Sequence, residues 1–250
     1  SLLPNLCKAV VKNERYFNEF SIFETAQVFR DENYTSPYDP REKLPSQRKN
    51  VAGAFATTDK DITALFRKAK GVMEMMARYV HMEALTFRQT EKPVWADNVV
   101  WLNIYRGDEK VGDLALLAKK VSMACGIKNM NVMLFQLDQD SLVPLKSRTN
   151  TFTHLAEYPM TDYDISLLVD GSVQWKDVAQ TVRGIKSELL HGAAFVDEYR
   201  GKQVPAGKKS LTLRLAIGSK DKTLTSAEIE EVASSVLNKI AKRFGAELRR

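Results

Sequence analysis

The chain has 250 residues, 44% hydrophobic and 27% charged, with a net charge of +6; this composition excludes a disordered or collagenous protein and suffices for one large domain or two ordinary ones. Its two cysteines, Cys7 and Cys125, are far apart and show no CxxC pattern, so neither a disulfide framework nor a zinc site is supported. No apolar run approaches the roughly 18 residues of a membrane span and the start has no signal-peptide pattern, so a cytoplasmic protein of a reducing compartment, with no membrane partner, is expected.

Leu3, Leu6 and Val10 recur at helical spacing behind Pro4 and predict a short amphipathic helix over 3–15. With no initiating methionine ahead of that helix, the chain is expected to be a piece of a longer protein. "FSIFETAQVF", Phe20 to Phe29, reads as a strand, and "VAGAFAT" as its successor. Between them, Arg30 to Asn50 is polar with three prolines, which predicts a long loop or disordered excursion. Leu65, Val72, Met73, Met76 and Val80 suit a helix from Ile62 to Tyr79, its methionines read as core filler and Gly71 costing about 1 kcal/mol. "VVWLNIYRGDEKVGDLAL" carries a hairpin signal around "RGDEK"; "KKVSMACGI" follows as a helix and "NVMLFQLDQDSL" as a strand. Residues 1–145 are therefore expected to form an α+β unit with an antiparallel sheet, and the aperiodic "KSRTNTFTH", 146–154, a linker.

The remainder, 155–250, is more regular. "YDISLLVD" is a strand, and Trp175, Val178, Val182, Ile185 and Leu189 step as one helix face. "AAFVDEYRG" and "KSLTLRLAIGS" read as strands joined by a loop. Thr225 and Glu228 form a capping-box pair before a helix whose face is Ile229, Val232, Val236 and Ile240; Gly245 closes it and "AELR" is a last strand. The order β-α-β-β-α-β is that of the ferredoxin-like fold, which is shared by many unrelated functions.

"YRGKQVPAGKKSLTLRL", Tyr199 to Leu215, has the composition of a phosphate loop but not its spacing. Five residues separate Gly201 from Gly207, Lys208 is followed by Lys209 instead of a hydroxyl residue, and the segment leads into the period-two run Leu211, Leu213, Leu215, Ile217. A strand offers none of the free N–H donors of a helix N-terminus, so the nucleotide-loop reading fails. His81, His154 and His191 stand alone, without HExxH, GxSxG or GxGxxG motifs nearby. No catalytic residue and no metal ligand is assigned.

The residues "FVDEYRGKQVPAGKKSLTLRLAIGSKDKTLTSAEIEEV", with "RFGAELR" at the end, closely resemble the ferredoxin-fold anticodon-binding domain of the bacterial phenylalanyl-tRNA synthetase beta chain family. "SLLPNLCKAVVKNERYFNEFSIFETAQVF" and, more weakly, the segments from "KAKGVMEMMARYV" to "QLDQDSL" resemble the catalytic-like module of the same family. The resemblance implies a non-catalytic, class II synthetase-like antiparallel-sheet module over 1–145, packed against alpha chains, followed by the ferredoxin-like domain. It further implies a heterotetramer of two alpha and two beta chains that joins phenylalanine to its tRNA with ATP and magnesium, used in alpha, this fragment needing no cofactor of its own. The module agrees in lacking a class II motif arginine followed by a glycine-rich strand. The editing region would precede Ser1. Two positions depart from the family pattern: Glu198 stands where an apolar residue is usual, and Tyr163 where an arginine often precedes the aspartate at Asp164.

Alternation sets Asp197 and Tyr199 on one face, and Ser210, Thr212 and Arg214 opposite the leucine face of their strand. A tyrosine can stack an unpaired base while a carboxylate or hydroxyl reads its edge. The resemblance points to Asp197, Tyr199 and Ser210 for the first anticodon base, and Arg200, Lys202, Lys208, Lys209 and Arg214 are expected to hold the RNA backbone. The alternative left by the residues alone is a stand-alone ferredoxin-like regulatory or protein-interaction module without RNA binding.

Overall fold

The computed structural model describes residues 1–35, 41, 43–142 and 157–249, in two units, Ser1–Thr151 and Phe152–Arg250. The expected linker 146–154 lies outside the described residues.

In the first unit, helix α1 (Leu3–Asn13) opens with a proline in its first turn, where no backbone donor is lost, and turns Leu3, Leu6, Cys7 and Val10 inward. Strands β1 (Glu19–Thr35) and β2 (Lys43–Thr57) follow, then helix α2 (Ile62–Tyr79), capped by the Asp61 side chain accepting the Ala64 N–H. Strands β3 (Thr86–Arg88), β4 (Ala96–Arg106) and β5 (Glu109–Leu117), helix α3 (Lys119–Cys125) and strand β6 (Asn131–Asp138) complete it. The six strands form one antiparallel sheet in the order β1-β2-β6-β5-β4-β3.

Both sides of its centre are covered. Val132 and Leu134 of β6 pack with Ala52, Ala54 and Ala56 against the α1 and α3 side. Met133, Phe135 and Leu137, one position on, pack with Leu65, Ala69, Met73 and Ala77 of α2. This two-sided burial explains why "VMLFQL" reads as a continuous apolar run without alternation. Met73 is core filler, as expected, and Met76 packs against the same core, whereas Met75 is 37% exposed. The two cysteines, remote in sequence, are brought together on α1 and α3. Both are free, and burial with Cys125 alongside pushes the Cys7 thiol up to about 12.

The predicted loop over Arg30–Asn50 is corrected where it is described. β1 and β2 stay paired from Glu19↔Thr57 out to Thr35↔Lys43, with a bulge between Arg30 and Asn33. Only Asn50–Thr57 of β2 also pairs with β6. Outward of Arg48 the described pairs of the ribbon have no third strand beside them, and the polar, proline-bearing composition of this segment does not mark it as a strand. Pro45 is accommodated next to the bulge. β3, a three-residue edge strand, carries too short a pattern to be read from the sequence.

In the second unit, β7 (Thr161–Asp170), α4 (Trp175–Arg183), β8 (Leu190–Tyr199), β9 (Lys208–Ile217), α5 (Ser226–Phe244) and β10 (Glu247–Leu248) give an antiparallel sheet in the order β10-β7-β9-β8. This is the ferredoxin-like arrangement. Leu211, Leu213, Leu215 and Ile217 of β9 and Ile165, Leu167 and Val169 of β7 meet Val178, Val182, Val236 and Ile240 of the two helices. The capping box forms in both directions between Thr225 and Glu228, with Lys222 also on the carboxylate, which is held down to about 2. Gly245 closes α5 with φ 62°. The helix predicted to run to Leu189 ends at Arg183; Ile185 and Leu189 still pack on the core from the connection to β8. Helical spacing alone did not separate the two conformations. Among the described residues, no helix is long and apolar enough to cross a membrane.

Two glycines of the first unit stand in opposite surroundings. A Cβ on Gly112 would lie 2.2 Å from the backbone oxygen of Gln136, whereas a Cβ on Gly71 meets nothing within 4 Å. Gly71→Ala is expected to raise the stability of the chain by about 1 kcal/mol. Gly112→Ala is expected to lower it by roughly 1–3 kcal/mol. Urea denaturation followed by circular dichroism checks both signs.

Candidate nucleic-acid interface

With α4 and α5 on one side of the second sheet, the other side carries the alternate residues of its strands. Cross-strand register sets Tyr199 opposite Ser210, which is opposite Leu168. Asp197 is opposite Thr212 and Thr212 opposite Ser166, and the two hydroxyls are hydrogen-bonded at 2.8 Å. Ala194, Arg214 and Asp164 make the next row. A bulge between Phe195 and Asp197 shifts the alternation of β8, so that Phe195 meets Trp175 of α4 on the covered side, with ring centroids 5.8 Å apart. Asp197 and Tyr199 remain on the open side.

Tyr199 is 39% exposed and its ring is held in place from two directions. A Cβ on Gly201 would fall 2.3 Å from the Tyr199 hydroxyl oxygen, so the ring lies across a backbone that tolerates no side chain there. The guanidinium of Arg249 sits 5.2 Å from the ring centroid, and its Nη2 donates to Gln203 Oε1 at 3.0 Å. The Arg249 backbone N–H donates to Ser166 O, which continues the β10 edge. Tyr199 and Arg249, from the two outer strands, therefore meet over the sheet, and one side of the ring already holds a cation. Ser210 is only 2% exposed. Arg249 and Gln203 escaped the sequence reading. The only signal was a basic residue just after the last strand, which acquires meaning once β10 is known to pair with β7.

The expected backbone-binding cations divide into kinds. Lys202 is exposed in the β8–β9 connection. Lys208 Nζ is 3.1 Å from the exposed Glu247, and the exposed Arg200 has its Nε 2.8 Å from the half-buried Glu198. Arg200 also donates to Gly171 O. Arg214 makes a two-pronged pair with Asp164 at 2.7 and 2.8 Å, with Asp162 at 3.5 Å. That hydrogen-bonded pairing holds the Asp164 carboxyl below the usual range and pushes the guanidinium up. Lys209 differs from the rest: it is 5% exposed, shares the parity of Leu211, and is paired with Glu198 at 2.8 Å. The structure thus brings Asp197, Tyr199, Ser210 and Arg214 to one open face, with Lys202 in the adjoining loop, and places Lys209 on the covered side.

Burial pushes the Glu198 carboxyl up, but the hydrogen bonds and charges of Lys209 and Arg200 outweigh it and leave it below its ordinary value. The acid that departs from the family pattern is in this way balanced within the fold.

The profile described as ferredoxin-fold anticodon binding domain matches residues 156–249. That described as phenylalanyl tRNA synthetase beta chain CLM domain matches 1–139. A protein of Oceanobacillus iheyensis called phenylalanine–tRNA ligase beta subunit is 27% identical over the whole chain, and that of Syntrophus aciditrophicus is 24% identical over the whole chain. A third, from Desulfotalea psychrophila, is 30% identical over 59% of the chain and 18% of that protein. The chain spans 31% of the length of the first two.

Lys209→Met keeps the buried stem and removes the charge. It is expected to destabilise the chain by about 2 kcal/mol at neutral pH, by leaving a half-buried carboxylate with one partner fewer. Because the folded carboxyl lies below its ordinary 4.5, the pair's contribution is complete above that pH and is lost as Glu198 protonates on acidification. The difference in urea midpoint between wild type and variant is therefore expected to shrink as pH falls below 4.5, and the Glu198 carboxyl resonance to titrate at higher pH in the variant.

Proposed function

We propose that this chain, which belongs to the phenylalanyl-tRNA synthetase beta chain family, forms the C-terminal part of a beta subunit of phenylalanine–tRNA ligase and binds the anticodon region of phenylalanine tRNA through its second unit. The observation that carries this reading is the match to an anticodon-binding domain over 156–249, on a unit whose open sheet face presents Tyr199 beside Asp197. The alternative of a stand-alone ferredoxin-like module is not favoured, since family matches cover both units.

The chemistry is recognition without bond making. An unpaired base stacks on the Tyr199 ring by displacing the Arg249 guanidinium from it, and the exposed Asp197 carboxylate accepts from base-edge donors such as those of guanine. Ser210, 2% exposed at the register position opposite Tyr199, takes part by becoming accessible as the base binds. Lys202, Lys208 and Arg200 lie around the loop and neutralise phosphates, adding affinity without sequence information. Arg214, already paired with two carboxylates, contributes by exchanging them for phosphate. Lys209 supports the loop from behind through Glu198.

Joining phenylalanine to tRNA with ATP and magnesium is assigned to an alpha chain, in a cytoplasmic assembly of two alpha and two beta chains that the first unit helps to scaffold. Among the described residues no group of three or more His, Cys, Asp or Glu side chains is placed to hold a metal ion, and no step of this recognition runs through one. The domain limits proposed are 1–145 for the scaffolding module and 155–250 for the anticodon-binding domain.

Tyr199→Ala is expected to weaken binding of the phenylalanine anticodon stem-loop roughly ten- to hundredfold, the equivalent of about 1–3 kcal/mol. Asp197→Asn is expected to reduce discrimination for the first anticodon base more than affinity. Fluorescence anisotropy with matched and base-substituted stem-loops, repeated with the chain assembled on alpha, measures both. Equal binding of the phenylalanine stem-loop and an unrelated one by the wild-type assembly overturns the reading.

A further inference from the structure

The surplus of positive charge is not on the anticodon-binding unit. Residues 157–249 hold fourteen basic and thirteen acidic side chains, whereas residues 1–17 and 118–130, the segments around α1 and α3, hold six basic ones against the single carboxylate of Glu14. Those six are Lys8, Lys12, Arg15, Lys119, Lys120 and Lys128, and all are exposed. None of them makes an ion pair among the described residues, while of the four cations of α2 on the other side of the same sheet two are tied, Lys68 to Glu19 and Lys70 to Glu74, and Arg67 and Arg78 are not. The lone acid is also engaged: a Glu14 carboxylate oxygen accepts the backbone N–H groups of Lys128 and Asn129 at 3.1 and 3.4 Å.

The fold gathers these charges into one surface. Lys8 and Lys12, four residues apart, lie on the side of α1 opposite Leu3, Leu6 and Val10, which are buried on the sheet, and Arg15 follows in the exposed turn that ends the helix. Helix α3 packs beside α1 on the same sheet face, with Ser122 inward and Lys119 and Lys120 outward. At the α1 end of the surface, Tyr16 is 66% and Phe17 53% exposed, their rings set edge to face with centroids 6.5 Å apart. The Arg15 guanidinium lies 4.6 Å from the Tyr16 centroid. Folding gains little from leaving two adjacent aromatics and six like charges in water, where the charges repel one another.

We propose that this α1–α3 surface is a second RNA-binding site, in which the five lysines and Arg15 track the phosphates of a helical RNA and Tyr16 stacks an unpaired base at its end. Uncompensated cations beside an exposed aromatic pair match RNA, which offers regularly spaced phosphates together with bases that have flat faces. An acidic protein surface would satisfy the lysines and leave Tyr16 and Phe17 unexplained. The site is separate from the anticodon face and does not depend on it.

The test uses the full chain and a labelled RNA duplex with a short single-stranded end and no anticodon loop, followed by anisotropy over a range of salt. The variant Lys8→Gln/Lys12→Gln/Lys119→Gln/Lys120→Gln keeps good helix formers at all four sites. It is expected to bind the duplex at least about tenfold more weakly at low salt, with a salt slope flatter by about one for each phosphate that is no longer neutralised. Its discrimination between anticodon stem-loops is expected to persist, so failure of this surface and failure of the anticodon reading are distinguishable. Tyr16→Ala is expected to abolish the preference for the ended duplex over a blunt one; an unchanged preference overturns the stacking role. Unchanged affinity and salt slope in the four-site variant overturn the site, as does displacement of the RNA by poly-glutamate at equal charge concentration, which would assign the surface to an acidic protein.

Discussion

Everything the second unit can offer to a partner depends on α4 and α5 packing on the same side of β9. Each β-α-β connection crosses in the same hand, so both helices arrive on one side, and the leucines of β9 are drawn to it. The period of two along the strand then delivers Ser210, Thr212 and Arg214 to the other side without further instruction. Burial and exposure are two halves of a single packing decision. The ring of Tyr199 adds a local element: it rests on a loop backbone and beneath an arginine from the far edge, and so is ordered before any base reaches it.

The first unit solves the packing problem differently. Its central strands are covered from both sides, and their alternate residues go to two cores instead of to one core and water. No wet face remains over β6. Whatever this unit presents must come from the outer sides of its helices or from its edges. That is where the charge asymmetry lies: α2 ties two of its cations to carboxylates, and the α1–α3 side ties none among the described residues.

The sequence carried the architecture wherever one side of an element was buried. The β9 alternation, the α5 face and the Thr225–Glu228 cap were all legible, because each is a local pattern with a single solution. The outer β1–β2 ribbon was not, since Arg30–Asn50 is polar and proline-bearing and pairs for most of its length with one strand only. Lys209 was read with its loop neighbours as a solvent-facing cation; its burial follows from parity with Leu211 and from an acid at Glu198, an association visible only across the strand pair. The Arg249 contact and the meeting of Cys7 with Cys125 join residues that are remote along the chain. Of the candidate site, the strands gave Asp197, Tyr199 and Ser210 their common face, while which cations are free and which are engaged needed the tertiary partners.

The ribbon has a consequence for how this chain tolerates change. Outward of Arg48 the described ladder pairs of β1 and β2 have no third strand beside them, so adding or removing a pair of residues there leaves the register of the other strands unchanged. Insertions elsewhere in β2 would turn alternate side chains to the wrong layer. The outer ribbon is therefore the natural place to graft an added sequence, whereas Asn50 to Thr57, paired on both sides, is not.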